Sequence, residues 1–283
     1  MKNFLSRAFT TVKHRVMVVS AKGGVGKSTT TVNLAAALTA RGLKVGIFDA
    51  DIHGPNIPAL LGIRQKSDLI MGANPHAMMP VYVSGGGALD VRPIKPFTRY
   101  EMQIMSLALL VGDKQMLNPQ PQEIGAMVEL MLGRVDWGGA DVILIDMPPG
   151  TGEPLQTIIQ NELVDGVVMV AVREQLAHLD NGRLLSFLRT TPIPVFGVVE
   201  NMTHVICPRC GELIELYPAP AAEEAVYGDT PVLASIPFHP GLIRQVRGGA
   251  PLALAEPDSP VAGILMRLAD QVTEKLRHID AKS

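Results

Sequence analysis

Short runs of apolar residues, most of them β-branched, recur along the chain with almost no polar positions inside them. Unbroken apolar runs are typical of strands that are buried on both faces of a sheet, whereas regular alternation would indicate one solvent-facing side. Five runs meet this description: 16–19, 45–48, 142–145, 167–172 and 195–199. We therefore predict five buried strands.

Segments with helical spacing of apolar residues lie between these runs, for example at 28–40 and 184–188. Strands that alternate with helices predict an α/β fold with a doubly wound, mostly parallel sheet and helices on both faces. The C-terminal segment after Ser259 and Pro260 predicts an amphipathic helix. Its apolar stripe consists of Val261, Ile264, Leu265, Leu268, Val272 and Leu276.

Two regions break the alternation of strands and helices. Glycine and proline are frequent between residues 63 and 100, and short alternating pieces there predict an inserted hairpin region around 72–100. Residues 112–122 predict a loop, followed by a helix at about 123–134. With no repeat or long linker in sight, we interpret 1–13 as a flexible N-terminal arm and 14–283 as a single domain.

Composition and charge narrow the possible partners. The 283 residues are 47% hydrophobic, and the net charge of −2 gives no basic excess of the kind that binds nucleic acid. No apolar stretch approaches the roughly 20 residues of a membrane-spanning helix. We expect a cytoplasmic protein that binds neither nucleic acid nor membrane.

A glycine-rich turn, AKGGVGKST at 21–29, lies between the first apolar run and the first helical segment. This context gives meaning to a match to G-x-x-x-x-G-K-[ST], although Ala21 fills the first glycine position. Backbone amides in such a loop point at phosphate oxygens, Lys27 reaches the β- and γ-phosphates, and the Ser28 hydroxyl binds Mg²⁺. The predicted nucleotide-binding residues are Gly23, Gly24, Val25, Gly26, Lys27, Ser28 and Thr29.

Three aspartates follow predicted strands. Asp49 and Asp51 come after the second run, and Asp146 comes after the third. Ligands bind open α/β sheets at the carboxyl ends of the strands, so these side chains belong beside the phosphate loop. Asp146 has the Walker B position and is predicted to hold Mg²⁺ with Ser28, whereas Asp49 could alternatively cap a helix.

The only two cysteines, Cys207 and Cys210, are separated by two residues. Two cysteines in a long chain favour metal or redox chemistry over a disulfide framework. A tight turn can aim both sulfurs at one metal, but zinc and iron–sulfur clusters usually take four ligands. The pair is therefore half of a metal site, to which His204 could contribute within one chain.

Five blocks occur in order along the chain: AKGGVGKST, DADIHGPNIP, VDWGGADVILIDMPPGTGE, VVENMTHVICPRCGE and EPDSPVA. With them the sequence resembles the Mrp/NBP35/ApbC group of iron–sulfur cluster carriers. Their K-G-G-x-G-K-[ST] loop is similar to that of nitrogenase iron protein, MinD and ParA. The resemblance implies a homodimeric ATPase that binds a [4Fe–4S] cluster and transfers it to apo-proteins. We expect slow ATP hydrolysis, because a switch needs dwell time.

The resemblance also implies roles for individual residues. Lys22 reaches across the dimer interface to the nucleotide of the partner, Asp51 orients the attacking water and Asp49 supports the first switch. Asn201 hydrogen-bonds the adenine ring, which favours ATP. The catalytic residues would then be Lys22, Lys27, Asp51 and Asp146.

The same resemblance suggests how the cysteine site is completed. Two chains that meet across their nucleotide sites would bring Cys207 and Cys210 of each chain to the two-fold axis, which makes four thiolates. Zinc at the same sulfurs is the chemical rival of the cluster. The chain departs from the group at 118–124, 172–180 and 217–225. Two of these departures lie close to the expected cysteine pair and dimer face, so we expect cluster geometry or the recipient protein to differ from those of the group. A MinD- or ParA-like positioning or regulatory ATPase with a structural zinc is the alternative interpretation.

Overall fold

A computed structural model describes residues 12–51, 54–63, 96–106, 135–207, 209–217 and 227–281. Nearly all of the predicted arm and of the inserted hairpin region at 72–100 lie outside these residues. The loop predicted at 112–122 and the helix predicted at 123–134 lie outside them entirely. These predictions stay untested.

Eight strands form the main sheet, which confirms the predicted α/β architecture. They are β1 (His14–Val19), β2 (Val45–Asp49), β3 (Phe97–Arg99), β4 (Met102–Ser106), β5 (Val142–Asp146), β6 (Gly166–Ala171), β7 (Val195–Glu200) and β10 (Val232–Ser235). Their order is β10-β7-β6-β1-β5-β2-β4-β3, and only the β3–β4 pair is antiparallel. All five predicted strands are present.

Two further strands, β8 (His204–Ile206) and β9 (Leu213–Glu215), form a separate antiparallel hairpin beyond β7. The helices are α1 (Lys27–Ala40), α2 (Ile57–Leu60), α3 (Glu153–Gln160), α4 (Gln175–Arg189), α5 (Pro240–Gly248), α6 (Leu252–Ala255) and α7 (Pro260–Asp280). No helix among the described residues is long and apolar enough to cross a membrane.

Apolar side chains pack on both faces of the sheet, because successive residues of a strand point to opposite sides. Val16 lies in a core cluster with Leu34 of α1, whereas the next residue, Met17, lies in a second cluster with Leu184 of α4. The central strands are buried on both sides. Helices therefore cover both faces, as the unbroken apolar runs predict.

Helix α1 is enclosed over most of its length. It contacts the sheet on one side and both α6 and α7 on another. Its buried residues are Lys27, Thr30, Thr31, Val32, Asn33, Leu34, Ala35, Ala36, Ala37 and Leu38. The helix that follows the phosphate loop thus lies inside the molecule rather than on its surface.

Helix α7 begins where the sequence predicts. The Ser259 hydroxyl accepts a hydrogen bond from the Ala262 N–H at 3.1 Å, and Pro260 occupies the first helical position. Of the predicted stripe, Val261, Leu265, Leu268, Val272 and Leu276 are buried, and Ile264 packs partly buried against the same core. The stripe is therefore the face that closes the sheet over α1.

Candidate nucleotide and metal site

The carboxyl ends of the central strands bring the predicted phosphate loop and two aspartates together. In the parallel registers, Asp146 of β5 lies opposite both Val18 of β1 and Asp49 of β2. The loop at 20–26 leaves β1 at the same edge. This edge is where ligands bind in open α/β sheets.

Two glycines give the phosphate loop its shape. Gly24 and Gly26 adopt φ values of 79° and 86°, a left-handed conformation that residues with a Cβ rarely take. A Cβ on Gly26 would also lie only 2.2 Å from Nδ2 of Asn201. Gly26 then precedes α1, and its carbonyl accepts the N–H of Thr30 at 2.9 Å. The loop therefore delivers the N-terminus of α1 to the edge of the sheet.

Lys27, Ser28 and Asp146 converge at one point. The Lys27 ammonium lies 2.8 Å from Oδ2 of Asp146, and the Ser28 hydroxyl donates to the same oxygen at 2.6 Å. Thr31, one turn further along α1, donates to Oδ1 of Asp146 at 2.8 Å. Asp146 is fully buried, so the lysine compensates a carboxylate that water does not reach. Sequence reasoning missed Thr31.

These residues fit a magnesium nucleotide. A carboxylate and a hydroxyl are the hard oxygen ligands that Mg²⁺ takes, and Asp146 and Ser28 supply both within hydrogen-bonding distance of each other. The N-terminus of α1 and the loop amides favour phosphate. Lys27 already lies against this carboxylate and can shift to a phosphate oxygen. The predicted placement of the phosphate loop and of Asp146 thus agrees with the structure.

Asp49 is a buried acid beside Asp146. Burial, and after it the charge of Asp146, raises the pKa of Asp49 from 3.8 to about 8. The Ser106 hydroxyl donates to Oδ2 at 3.0 Å and the Asp51 N–H donates to Oδ1 at 3.2 Å. These bonds hold the carboxyl group at the end of β2 and link it to the segment that carries Asp51.

The raised pKa of Asp49 predicts how stability changes with pH. The folded protein binds this proton more tightly than the unfolded chain, so the stabilisation is complete below about pH 4 and is lost as pH rises towards 8. Without nucleotide or Mg²⁺, we expect the proton on Asp49 to account for a fall of about 3 to 4 kcal/mol in the free energy of unfolding between about pH 5 and pH 8. Asp49→Asn should remove this part of the fall. Urea unfolding at several pH values measures it. A variant that keeps the wild-type pH dependence would contradict the assignment.

Asp51 and Lys22 each contact a residue outside the cluster of Lys27, Ser28 and Asp146. Oδ1 of Asp51 accepts the N–H of Gly54 at 3.1 Å. Nζ of Lys22 lies 3.4 Å from Oδ2 of Asp180 on α4, and both side chains are about one-third exposed. Sequence reasoning missed Asp180 as the partner of Lys22 within the chain.

Asn201 contacts the phosphate loop directly. Its Nδ2 donates to the Val25 carbonyl at 2.9 Å, and its backbone N–H donates to the Ala171 carbonyl at 2.8 Å. The side chain is buried. Asn201 thus contacts the predicted phosphate loop, and its contact with adenine stays a prediction.

The residue before Asn201 is held by an ion pair that the sequence did not reveal. Arg173 donates from Nε and Nη2 to Oε2 of the buried Glu200, at 2.8 and 2.6 Å. The hydrogen bond to Glu200 raises the pKa of Arg173. Ser235 of β10 donates to the same oxygen at 3.1 Å. The ends of β6, β7 and β10 are thereby tied together next to Asn201.

The two cysteines occupy the turn of the β8–β9 hairpin. The Cys207 N–H donates to the Glu212 carbonyl at 2.8 Å, and the Cys207 carbonyl accepts the Gly211 N–H at 2.9 Å. The backbone N–H groups of Cys210 and Arg209 lower the pKa of the Cys207 thiol. Cys210 is exposed and Cys207 partly so. The turn therefore presents a thiol that ionises readily, which metal binding requires.

A third ligand does not join the pair from the described part of the chain. No group of three or more histidine, cysteine, aspartate or glutamate side chains there is placed to hold a metal ion. His204 lies on β8, where its Nδ1 is 2.9 Å from the Thr203 hydroxyl. Among the described residues of one chain, the two cysteines are thus left without a further ligand group, and the predicted half-site stays a prediction.

A family model described as ParA, NUBPL iron-transfer P-loop NTPase, matches residues 11–273. The chain belongs to this family. The "iron-sulfur cluster carrier protein" of Pyrococcus horikoshii is 34% identical over 94% of this chain and 88% of its own length. The protein of the same description from Pseudomonas fragi is 38% identical, over 91% of this chain and 84% of its own length.

Solved structures agree with this placement. A nucleotide-binding protein from Archaeoglobus fulgidus in complex with ADP has a TM-score of 0.68 and 30% identity, over 88% of this chain and 91% of its own. MinD from Pyrococcus horikoshii in complex with Mg-ADP has a TM-score of 0.63 and covers 92% of this chain and 95% of its own. At 23% identity, MinD shows the fold alone. The iron-transfer P-loop NTPase thus has the predicted fold and a nucleotide site.

Proposed function

We propose that this P-loop NTPase binds ATP, hydrolyses it slowly, and carries a [4Fe–4S] cluster that it transfers to apo-proteins. The observation that carries the proposal is the pair of thiols in the β8–β9 turn, the partly exposed Cys207 and the exposed Cys210, which lacks a further ligand group among the described residues. Two-fold pairing of chains across their nucleotide sites would supply four thiolates, the number that such a cluster takes.

The exposure of the turn suits a cluster that is delivered rather than retained. A structural zinc site is normally closed, with its four ligands in one fold. Here Cys210 is exposed, and the next strand, β9, leaves Leu213 and Ile214 62% and 51% exposed. A recipient protein can therefore approach the sulfurs directly. The curated relatives reported above carry the same function in their names.

The nucleotide site supplies the switch. Lys27 and the loop amides would hold the β- and γ-phosphates, and Ser28 and Asp146 would hold Mg²⁺, which would neutralise phosphate charge. Asp51 orients the water that attacks the γ-phosphate, and the bond to the leaving ADP oxygen breaks. Lys22 stabilises the negative charge that develops on the phosphates in the partner's site. To reach that site, Lys22 must first leave Asp180 of its own chain.

The pair between Lys22 and Asp180 predicts an effect on association. Asp180→Ala removes the contact that holds Lys22 within its own chain, so we expect the ATP-dependent dimer to tighten by up to about fivefold, the range of a partly exposed ion pair. Sedimentation at several protein concentrations with a non-hydrolysable ATP analogue measures the change. Arg183→Ala, which removes the other basic partner of Asp180, is the matched control and leaves the dimer constant unchanged. Weaker association of the Asp180 variant would contradict the role given to Lys22.

A positioning ATPase of the MinD or ParA kind has less support. Its structural likeness concerns the fold alone at 23% identity, whereas the cluster carriers reach 34% and 38%. The cysteine turn also has no task in such a cycle.

Anaerobic reconstitution tests the proposed function. The protein is incubated with iron and sulfide, and iron, sulfide and mass are measured on the sized product. We expect about four irons per dimer with matching sulfide, together with transfer to an apo-protein of the [4Fe–4S] type. Stoichiometric zinc that iron does not displace, or a full load on a monomer, would refute the carrier function.

A further inference from the structure

The stretch after β7 packs against the phosphate loop. Asn201 donates to the Val25 carbonyl at 2.9 Å from a buried side chain. Its neighbour Met202 places Cε 3.8 Å from the point where a Cβ on Gly26 would lie. Because Gly26 has no side chain, both residues approach the loop closely. This is a direct contact between the nucleotide-binding segment and residues that precede the cysteines.

The same stretch is hydrogen-bonded to the start and the end of the β8–β9 hairpin, whose turn carries the cysteines. The Thr203 N–H donates to the Ile236 carbonyl at 3.1 Å, and the Thr203 carbonyl accepts the Leu216 N–H at 3.2 Å. The His204 carbonyl accepts the Phe238 N–H at 2.8 Å. Cys207 follows three positions later. Hydrogen-bonded backbone therefore connects Asn201 to the turn that carries the thiols.

Met202, within this connection, has a strained backbone conformation. Its φ of 56° lies in the left-handed region, which is unfavourable for a side chain of this kind. Such a conformation persists only where the surroundings hold it, and clusters at sites that bind or switch. Its surroundings here are the phosphate loop at Gly26 and the core beneath it. The strained residue thus lies between the loop and the hairpin.

We propose that Asn201 and Met202 are positioning residues that couple nucleotide occupancy of the phosphate loop to the accessibility of Cys207 and Cys210. The coupling rests on the proposed carrier function, in which the nucleotide state sets how firmly the thiols hold their cargo. Nucleotide phosphates restrict the loop that contains Val25, and Asn201 and Met202 pass this restriction to the hairpin. By linkage, an occupied thiol pair changes nucleotide affinity by the same factor.

Thiol alkylation of the cluster-free protein tests the coupling. Cys207 and Cys210 are labelled with iodoacetamide under anaerobic conditions, with and without saturating MgADP, and the label is quantified at each cysteine by mass spectrometry. We expect MgADP to slow alkylation of the wild type by about fivefold. Met202→Gly removes the backbone restriction, so the rates with and without MgADP become equal. Asn201→Asp loses the donor to the Val25 carbonyl and behaves in the same way.

A matched control tests whether relief of backbone strain at any residue, rather than at Met202, abolishes the protection. Glu162 also has a positive φ, of 52°, but it lies between α3 and the start of β6, away from the carboxyl ends of the strands. Glu162→Gly should keep the fivefold protection. Every sample is sized in parallel, and MgADP binding of each variant is confirmed by calorimetry.

Three outcomes would overturn the coupling: no protection of the wild type, full protection of Met202→Gly, or protection confined to dimeric fractions. None of them bears on the carrier function, because the labelling needs no cluster. Cluster loading in the reconstitution experiment decides that function separately. If Asn201→Asp fails to bind MgADP, Met202→Gly decides the test, since a glycine accepts the left-handed conformation without strain.

Discussion

A Cys207→Ala variant is expected to take up no stable iron–sulfur cluster, and Cys210→Ala is expected to fail in the same way. Each substitution leaves a homodimer with two thiolates in place of four, and no group of three or more metal-binding side chains in the described part of the chain can take over the site. The loss should be complete rather than graded. Iron and sulfide content and absorbance after anaerobic reconstitution measure it.

The matched control for this prediction lies in the same turn. Arg209 contributes its backbone N–H to Cys207, so Arg209→Ala keeps that contact and should bind a full cluster. Mixed dimers make the test sharper. One wild-type chain paired with a Cys207→Ala, Cys210→Ala chain should bind no stable cluster if the site is shared. A half load on such dimers would show that each chain holds its own metal.

Replacing Lys27 by alanine is expected to lower the rate of ATP hydrolysis by about a hundredfold or more. The ammonium is the cation that lies against Asp146 and Ser28, and it is the group that can move to the γ-phosphate. Phosphate release under saturating MgATP measures the effect. Lys44→Ala, which alters an exposed lysine at the start of β2, should hydrolyse ATP at the wild-type rate.

The same variant should also lose stability when nucleotide is absent. Asp146 is fully buried, and removal of its lysine leaves a carboxylate without its counter-ion, at a cost of about 3 kcal/mol in the free energy of unfolding. Adding Asp146→Asn should restore much of that stability but none of the hydrolysis. If the double variant unfolds as easily as Lys27→Ala, the unpaired Asp146 carboxylate is not the cause of the lost stability.

The buried strands could be predicted because burial on both faces leaves a simple trace, a run without alternation. Among the unpredicted strands of the main sheet, β4 and β10 escaped for identifiable reasons. In β4 the polar residues Gln103 and Ser106 interrupt the run, and methionines take the place of β-branched residues. Strand β10 has only four residues, Val232–Ser235, and ends in a serine. Its order in the sheet, beside β7, is a tertiary fact that no local pattern contains.

The residues of the site likewise fall into those that the sequence could place and those that it could not. The loop, Lys27, Ser28 and Asp146 could be placed from sequence, because a strand, glycines and a helix fix their order and parallel strand ends share one edge. Thr31 was within reach, since it lies four residues after Lys27 on the same helix face. The hydroxyl of Ser106 was not, because it comes from a strand 57 positions away from Asp49. Partners that only the packed fold brings together leave no local signal.

The enclosure of α1 has a consequence for how the molecule works. A helix held between the sheet, α6 and α7 cannot tilt or slide without opening the core on that face. The N-terminus of α1 is therefore expected to keep its position, so that the phosphates bind at the same place in every reaction cycle. In the proposed cycle we therefore expect motion outside this helix, including the β8–β9 turn that carries Cys207 and Cys210.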